Sequence, residues 1–242
     1  MNQRMTVLCA FLACGAGLPA GAEIPLYRAQ YVVEYKGREM GASEFSVARG
    51  SEPDAFTFRS NTQRNGLMAR LVSPRPVVEH SEFTLAAGQI LPQRFRYEDG
   101  SRKGEENFTV NFDWGASEIR VNGEHGPRTF PLTAGVLDRG SMQVAMMNDA
   151  AAGRLPGPYV LADDDSLNTY EFTAEEDAQL DTALGTFTAH RLRQQRQGSS
   201  RHTILWLVPE LRYLPVLIQQ YREGEVLTAF IIESLEWDAA NR

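Results

Sequence analysis

The sequence predicts a mostly β protein built as one large, strongly curved antiparallel sheet, an open or half barrel, with a single helix around residues 138–152. Three observations predict it. Residues 26–237 divide into short segments in which apolar and polar side chains alternate with period two, as a half-buried strand requires. The separators are short and rich in Gly, Asp, Asn and Ser, and strands joined by such loops pair antiparallel because parallel pairs need long crossovers. No Pro-, Gly- or Ser-rich linker, internal repeat or low-complexity tract marks a seam, so residues 23–242 read as a single β-rich domain.

Residues 1–22 read as a secretory signal peptide. Arg4 supplies a positive start, Met5 to Leu12 a short apolar run, and Ala20-Gly21-Ala22 a small-residue cleavage site. The run is shorter than the roughly 20 residues a membrane-spanning helix needs, so no transmembrane span is expected in the mature chain. This predicts a periplasmic protein. Both cysteines, Cys9 and Cys14, fall within the leader, so cleavage after Ala22 leaves no thiol for a disulfide, a nucleophile or a metal. The alternative is lipidation at Cys14 within Phe11-Leu12-Ala13-Cys14. Loss of Arg4 takes the formal charge from -7 to -8, which argues against nucleic acid as a partner.

The first hairpin is read over 26–47, where Tyr27, Ala29, Tyr31, Val33 and Tyr35 share one face and Lys36-Gly37-Arg38 turns the chain. Strands follow at 55–62, 77–85, 89–98, 105–114, 118–121 and 128–132. At 138–152 the period changes: Met142, Ala145, Met146 and Ala150 fall on one helical face, Arg139, Gln143 and Asn148 point elsewhere, Asp138 suits the N-cap and Gly153 the stop. Strands resume at 158–162, 169–174, 178–182, 186–195, 202–208, 214–223 and 225–237. Pro209 ends one strand, and Pro215 is expected at an edge or bulge that needs no amide donor.

Motifs for catalysis are not found. His80, His125, His190 and His202 have no metal-ligand spacing, so no metal or other cofactor is expected. The run Asp163-Asp164-Asp165 lacks the interrupted spacing of a calcium loop and reads as an acidic solvated turn, and Glu175-Glu176-Asp177 as a hairpin tip. Gly140-Ser141-Met142 lacks the second glycine of a nucleophile elbow, and there is no phosphate-binding glycine loop.

The candidate ligand-binding residues are therefore Arg94, Arg96, Arg191 and Arg193 on strands beside aromatic residues, Met142 and Met146 on the helix, and Trp206. Arginines converging at the mouth of a cavity would hold a carboxylate or anionic headgroup bidentately, and methionines adapt to irregular apolar ligands. The competing reading of the arginines is a solvated outer sheet face.

Three stretches carry a family resemblance: Tyr31-Val32-Val33-Glu34-Tyr35-Lys36-Gly37 through Gly41, Leu91-Pro92-Gln93-Arg94-Phe95-Arg96-Tyr97, and Trp206-Leu207-Val208-Pro209 followed by Tyr213-Leu214-Pro215-Val216. In their order the chain resembles the bacterial exported family called domain of unknown function 3108. The resemblance implies a periplasmic β-rich fold of unassigned activity, with a shape akin to the half-barrels of envelope lipoprotein carriers. No catalytic residue carries across.

The expected function is a periplasmic, non-catalytic binding or carrier protein whose concavity takes a lipid or other apolar small molecule. The alternative is a structural or interaction protein that meets an envelope partner through a sheet edge or surface patch. A hydrolase of envelope polymers, with carboxylates from distant strands, is the least supported reading.

Overall fold

The computed structural model describes residues 23–66 and 74–238. The predicted leader, with Cys9, Cys14 and the cleavage site at Ala22, lies outside the described residues. Sixteen strands follow in order: β1 (Tyr27–Tyr35), β2 (Arg38–Arg49), β3 (Ala55–Arg64), β4 (Val77–Ala86), β5 (Gln89–Glu98), β6 (Phe108–Asp113), β7 (Glu118–Asn122), β8 (Arg128–Pro131) and β9 (Val136–Leu137). Helix α1 (Arg139–Ala151) comes next, then β10 (Tyr159–Ala162), β11 (Leu167–Ala174), β12 (Ala178–Thr182), β13 (Gly185–Arg196), β14 (His202–Val208), a 3-10 turn (Pro209–Leu211), β15 (Leu214–Arg222) and β16 (Glu225–Trp237).

The strands form one sheet in the order β8-β7-β6-β5-β4-β3-β2-β1-β16-β15-β14-β13-β11-β10-β9, with β12 paired to β13 beside this path. Pairing is antiparallel except between β9 and β10. The first and last strands meet in the middle, with Tyr27 opposite Trp237. Curvature follows from chain geometry. Laid flat, the path from β8 to β9 would stretch roughly 65 Å at about 4.8 Å per strand. Yet only residues 132–135 join these two end strands, and that connection reaches at most roughly 18 Å. The sheet must therefore curl until its ends approach, and β9 lies against β5 without closing the barrel.

Alternation decides which side chains enter the curl. In β1 the buried residues are Tyr27, Ala29, Tyr31 and Val33, and in β6 they are Phe108, Val110 and Phe112. The larger core gathers Tyr27, Ala29 and Tyr31 of β1 with Phe45, Phe58, Phe83, Leu205, Leu207, Ile218 and Ile232 around Val144, Met146 and Met147 of the helix. A smaller core of Phe95, Phe108, Val110, Phe112, Ile119 and Val121 meets Leu132, Val136 and Ala162 where the two ends of the sheet converge. Strand prolines sit at irregularities, as expected for a residue with no amide donor. Pro215 lies opposite a register shift at Trp206/Leu207, and Pro92 opposite one at Glu82/Phe83.

The helix begins where predicted but buries a different face. Gly140, Ser141, Val144, Met146 and Met147 are buried, whereas Met142, Ala145 and Ala150 are half-buried. Strands β3, β4, β5 and β10 all pack on it, so a helix enclosed by a curled sheet has no single apolar stripe to read. Its start is fixed by Asp138, which is fully buried. Ser141 N–H donates to Asp138 Oδ1 at 2.9 Å and Ser81 Oγ donates to Oδ2 at 2.9 Å, which ties the helix to β4.

Candidate functional site

The curl leaves a cavity of about 980 Å³ beside the helix, open toward the β1–β2 and β15–β16 hairpins. Alternate residues of each strand line it, because period two sends i and i+2 to the same face. On one arm these include Phe45, Ser60 and Thr62; on the other, Leu205, Ile218 and Phe230; the helix adds Arg139, Met142 and Gln143.

Strand register arranges the second wall in two parallel rows. Leu192, Leu205, Ile218, Phe230 and Val33 lie side by side across β13, β14, β15, β16 and β1. Two residues nearer the hairpin tips run Gln194, Thr203, Gln220, Thr228 and Tyr35 across the same strands. The deeper row is apolar and the outer row is polar without charge.

Arg139 and Glu79 are the charged groups beside the helix in this space, and Glu34 and Arg64 also line it farther out. Arg139 Nη1 donates to Glu79 Oε1 at 3.1 Å and its Nη2 to Asp163 Oδ1 at 2.8 Å. The guanidinium also lies 5.3 Å from the Tyr97 ring centre and 5.6 Å from that of Phe108. Both carboxylates hold the arginine protonated, and its acidity is weakened despite burial. Asp163 thus corrects the sequence reading: it is turned inward onto Arg139, with a side chain 17% exposed, instead of forming part of a solvated turn. Glu79 and Asp163 are two carboxylates from distant elements, but the guanidinium fills the space between them, where a glycoside hydrolase would place substrate and water.

The residues singled out from sequence are divided by the structure. Met142 lines the cavity, with Gln194 Nε2 3.5 Å from its sulfur, whereas Met146 is packed in the core. Arg94 and Arg96 are exposed on β5, on either side of the buried Phe95, and Arg96 pairs with Glu98. Arg191 and Arg193 flank the buried Leu192 on β13 and share Glu175, at 2.8 and 3.4 Å. Arg191 lies over Trp206, 4.7 Å from the ring centre, and Trp206 Nε1 donates to Gln219 at 3.2 Å. The arginines do not converge at the mouth. They stand on strands β5 and β13, eight places apart along the sheet, and on the face opposite the cavity-lining residues.

Arg139, Glu79 and the uncharged polar row are the residues that sequence reasoning missed. A signal for Arg139 was present: a cation at the first helical position faces the positive end of the helix dipole, so something else must hold it. Among the described residues no group of three or more His, Cys, Asp or Glu could hold a metal ion, and no helix is long and apolar enough to cross a membrane.

No curated protein matches the chain. Two solved structures are similar to it. One, from Parabacteroides distasonis ATCC 8503, is provisionally described as a lipoprotein; it shares 8% identity over 88% of this chain and 95% of that chain, with a TM-score of 0.37. The other, from Bacteroides fragilis NCTC 9343, is provisionally described as an exported protein with a YmcC-like fold; it shares 10% identity over 87% of this chain and 94% of that one, with a TM-score of 0.34. The profile of one family, described as a protein of unknown function (DUF3108), matches residues 30–227, most of the sheet from β1 into β16. The chain therefore belongs to the DUF3108 family.

Proposed function

We propose that this protein is an extracytoplasmic binding or carrier protein that takes an apolar or amphipathic small molecule into the cavity of its half-barrel. The observation that carries this reading is the cavity itself. Its volume of about 980 Å³ sits at the upper end of the range for small-molecule sites, it is walled by strands from both arms, and Phe45, Leu205, Ile218 and Phe230 offer it apolar surface. The N-terminal pattern of Arg4, the apolar run and Ala20-Gly21-Ala22 supports the location.

The test is lipid extraction and mass spectrometry of protein purified from the cell envelope, followed by uptake of an apolar fluorescent probe by the delipidated protein. A co-purified amphiphile and saturable uptake are expected, with uptake reduced at least tenfold by Thr62→Trp, which narrows the cavity from one wall. Protein that carries nothing and takes up no probe overturns the reading. Action through a sheet edge is less well supported, because the end strands β8 and β9 are short and β8 ends in Pro131, features that blunt strand addition.

A further inference from the structure

We infer that the cavity selects amphiphiles whose head is uncharged and hydrogen-bonding, such as a glycerol ester or an amide, over those with an anionic head. The inference rests on the carrier reading and gives it a ligand class.

Its basis is the pair of rows on the β13–β14–β15–β16–β1 wall. Of the inner row, Leu205, Ile218, Phe230 and Val33 line the cavity and offer an apolar chain continuous contact, while Leu192 at the end of the row is packed in the core. The outer row of Gln194, Thr203, Gln220, Thr228 and Tyr35 follows in register across the same five strands and contains no charged residue. Among the described residues, the side chains of Thr203, Gln220, Thr228 and Tyr35 have no hydrogen-bond partner in the protein, so their donors and acceptors are available to a ligand head. Gln194 reaches only the sulfur of Met142, a weak acceptor.

The cation nearest the base of the cavity cannot serve an anion. Both arms of the Arg139 fork are taken by Glu79 and Asp163, and the neighbouring rings of Tyr97 and Phe108 lie against the guanidinium. One positive and two negative charges leave that cluster net negative, so a carboxylate or phosphate brought there meets repulsion in a partly desolvated site. A neutral head finds amides and hydroxyls along the outer row and loses no ionic hydration on entering.

The experiment uses delipidated full-length processed protein and three probes with the same chain: a monoacylglycerol, the fatty acid at pH 8, and the alkane-tailed fluorescent probe that reports uptake alone. The monoacylglycerol is expected to displace the probe at least tenfold more tightly than the fatty acid. The double variant Thr203→Val with Thr228→Val keeps shape and apolar uptake but should weaken the monoacylglycerol about tenfold. Gln220→Arg, at an exposed rim position, should bring the fatty acid up by a similar factor. Equal or tighter binding of the fatty acid by the unmodified protein overturns the inference and leaves the carrier reading standing. Failure to take up even the apolar probe overturns both.

Discussion

Two neighbouring residues at the start of the helix show how burial and charge are balanced in this fold. Asp138 is fully buried; removal from water pushes its carboxyl up to about 6, against the hydrogen bonds from Ser141, Ser81 and Gly140 that favour the carboxylate. Desolvation wins, so the folded state holds a proton that the unfolded chain releases at the ordinary carboxylate value. Between roughly pH 4 and 6 the native protein binds more protons than the unfolded one, and stability from this group is greatest in acid and falls as pH rises through 6. The loss is about 3 kcal/mol at one pKa unit per 1.36 kcal/mol. Asp138→Asn keeps an acceptor for the Ser141 N–H and removes the titration. Urea unfolding at pH 4 and pH 7 should therefore show the difference in stability between the native chain and the Asn variant shifting by up to about 3 kcal/mol in favour of the variant at the higher pH. A constant difference would show that the Asp138 carboxyl titrates alike in the folded and unfolded chain. Arg139 sits one position later against the helix dipole and is retained because Glu79 and Asp163 surround its guanidinium.

At the scale of elements, the approach of the helix to the sheet is set by Gly140. A Cβ there would stand 2.6 Å from Phe58 Cδ1 and 2.7 Å from Ser81 Cβ, too close for either partner to accept without moving. Helix propensity alone favours alanine over glycine by about 1 kcal/mol, whereas overpacking a buried site typically costs about 1–3 kcal/mol. Gly140→Ala is therefore expected to destabilise the protein by up to about 2 kcal/mol, measured as a lower urea midpoint at unchanged slope; a stabilised variant would mean that the helix can slide on β3 and β4. The contrast between what the sequence shows and hides has the same physical origin. Strands such as β1 and β6 were legible because alternation is local, and the helix because its period and Asp138 cap are local. The buried helical face was not legible, since an element packed on several sides has apolar residues all round. The triad of Glu79, Arg139 and Asp163 was hidden because its members are brought together by curvature alone. Arg94 and Arg191 looked alike in sequence, and only strand order reveals that they stand on distant parts of the outer face.

For the whole molecule, the decisive feature is that the first and last strands, β1 and β16, pair in the middle of the sheet. Tyr27 lies opposite Trp237, and Asp238 N–H donates to Leu26 O at 3.1 Å. Between β1 and β16 the contact spans nearly the full chain, a long-range closure that slows folding because its loop entropy must be lost before the contact forms. Elsewhere the order follows the sequence: β1 through β8 descend along one arm, and β16 through β9 along the other, with β12 set aside. The two arms are joined at their far ends only by residues 132–135, where Gly135 adopts positive φ. A circular permutant that opens the chain between Ala134 and Gly135 and links Asp238 to Glu23 through a short Gly-Ser turn would thus make almost every strand pair sequential. It is expected to reach the same fold, with unchanged far-ultraviolet circular dichroism and the same apolar-probe uptake, and to refold at least several-fold faster than the native order. The reason is that the β1–β16 pair becomes a hairpin and the lost connection joins strands that share no hydrogen bonds. Refolding no faster, or a permutant that fails to unfold cooperatively, would place the rate-limiting event at the meeting of the sheet ends, where Val136 and Leu132 pack on Phe95 and Phe112, and not at the pairing of the termini.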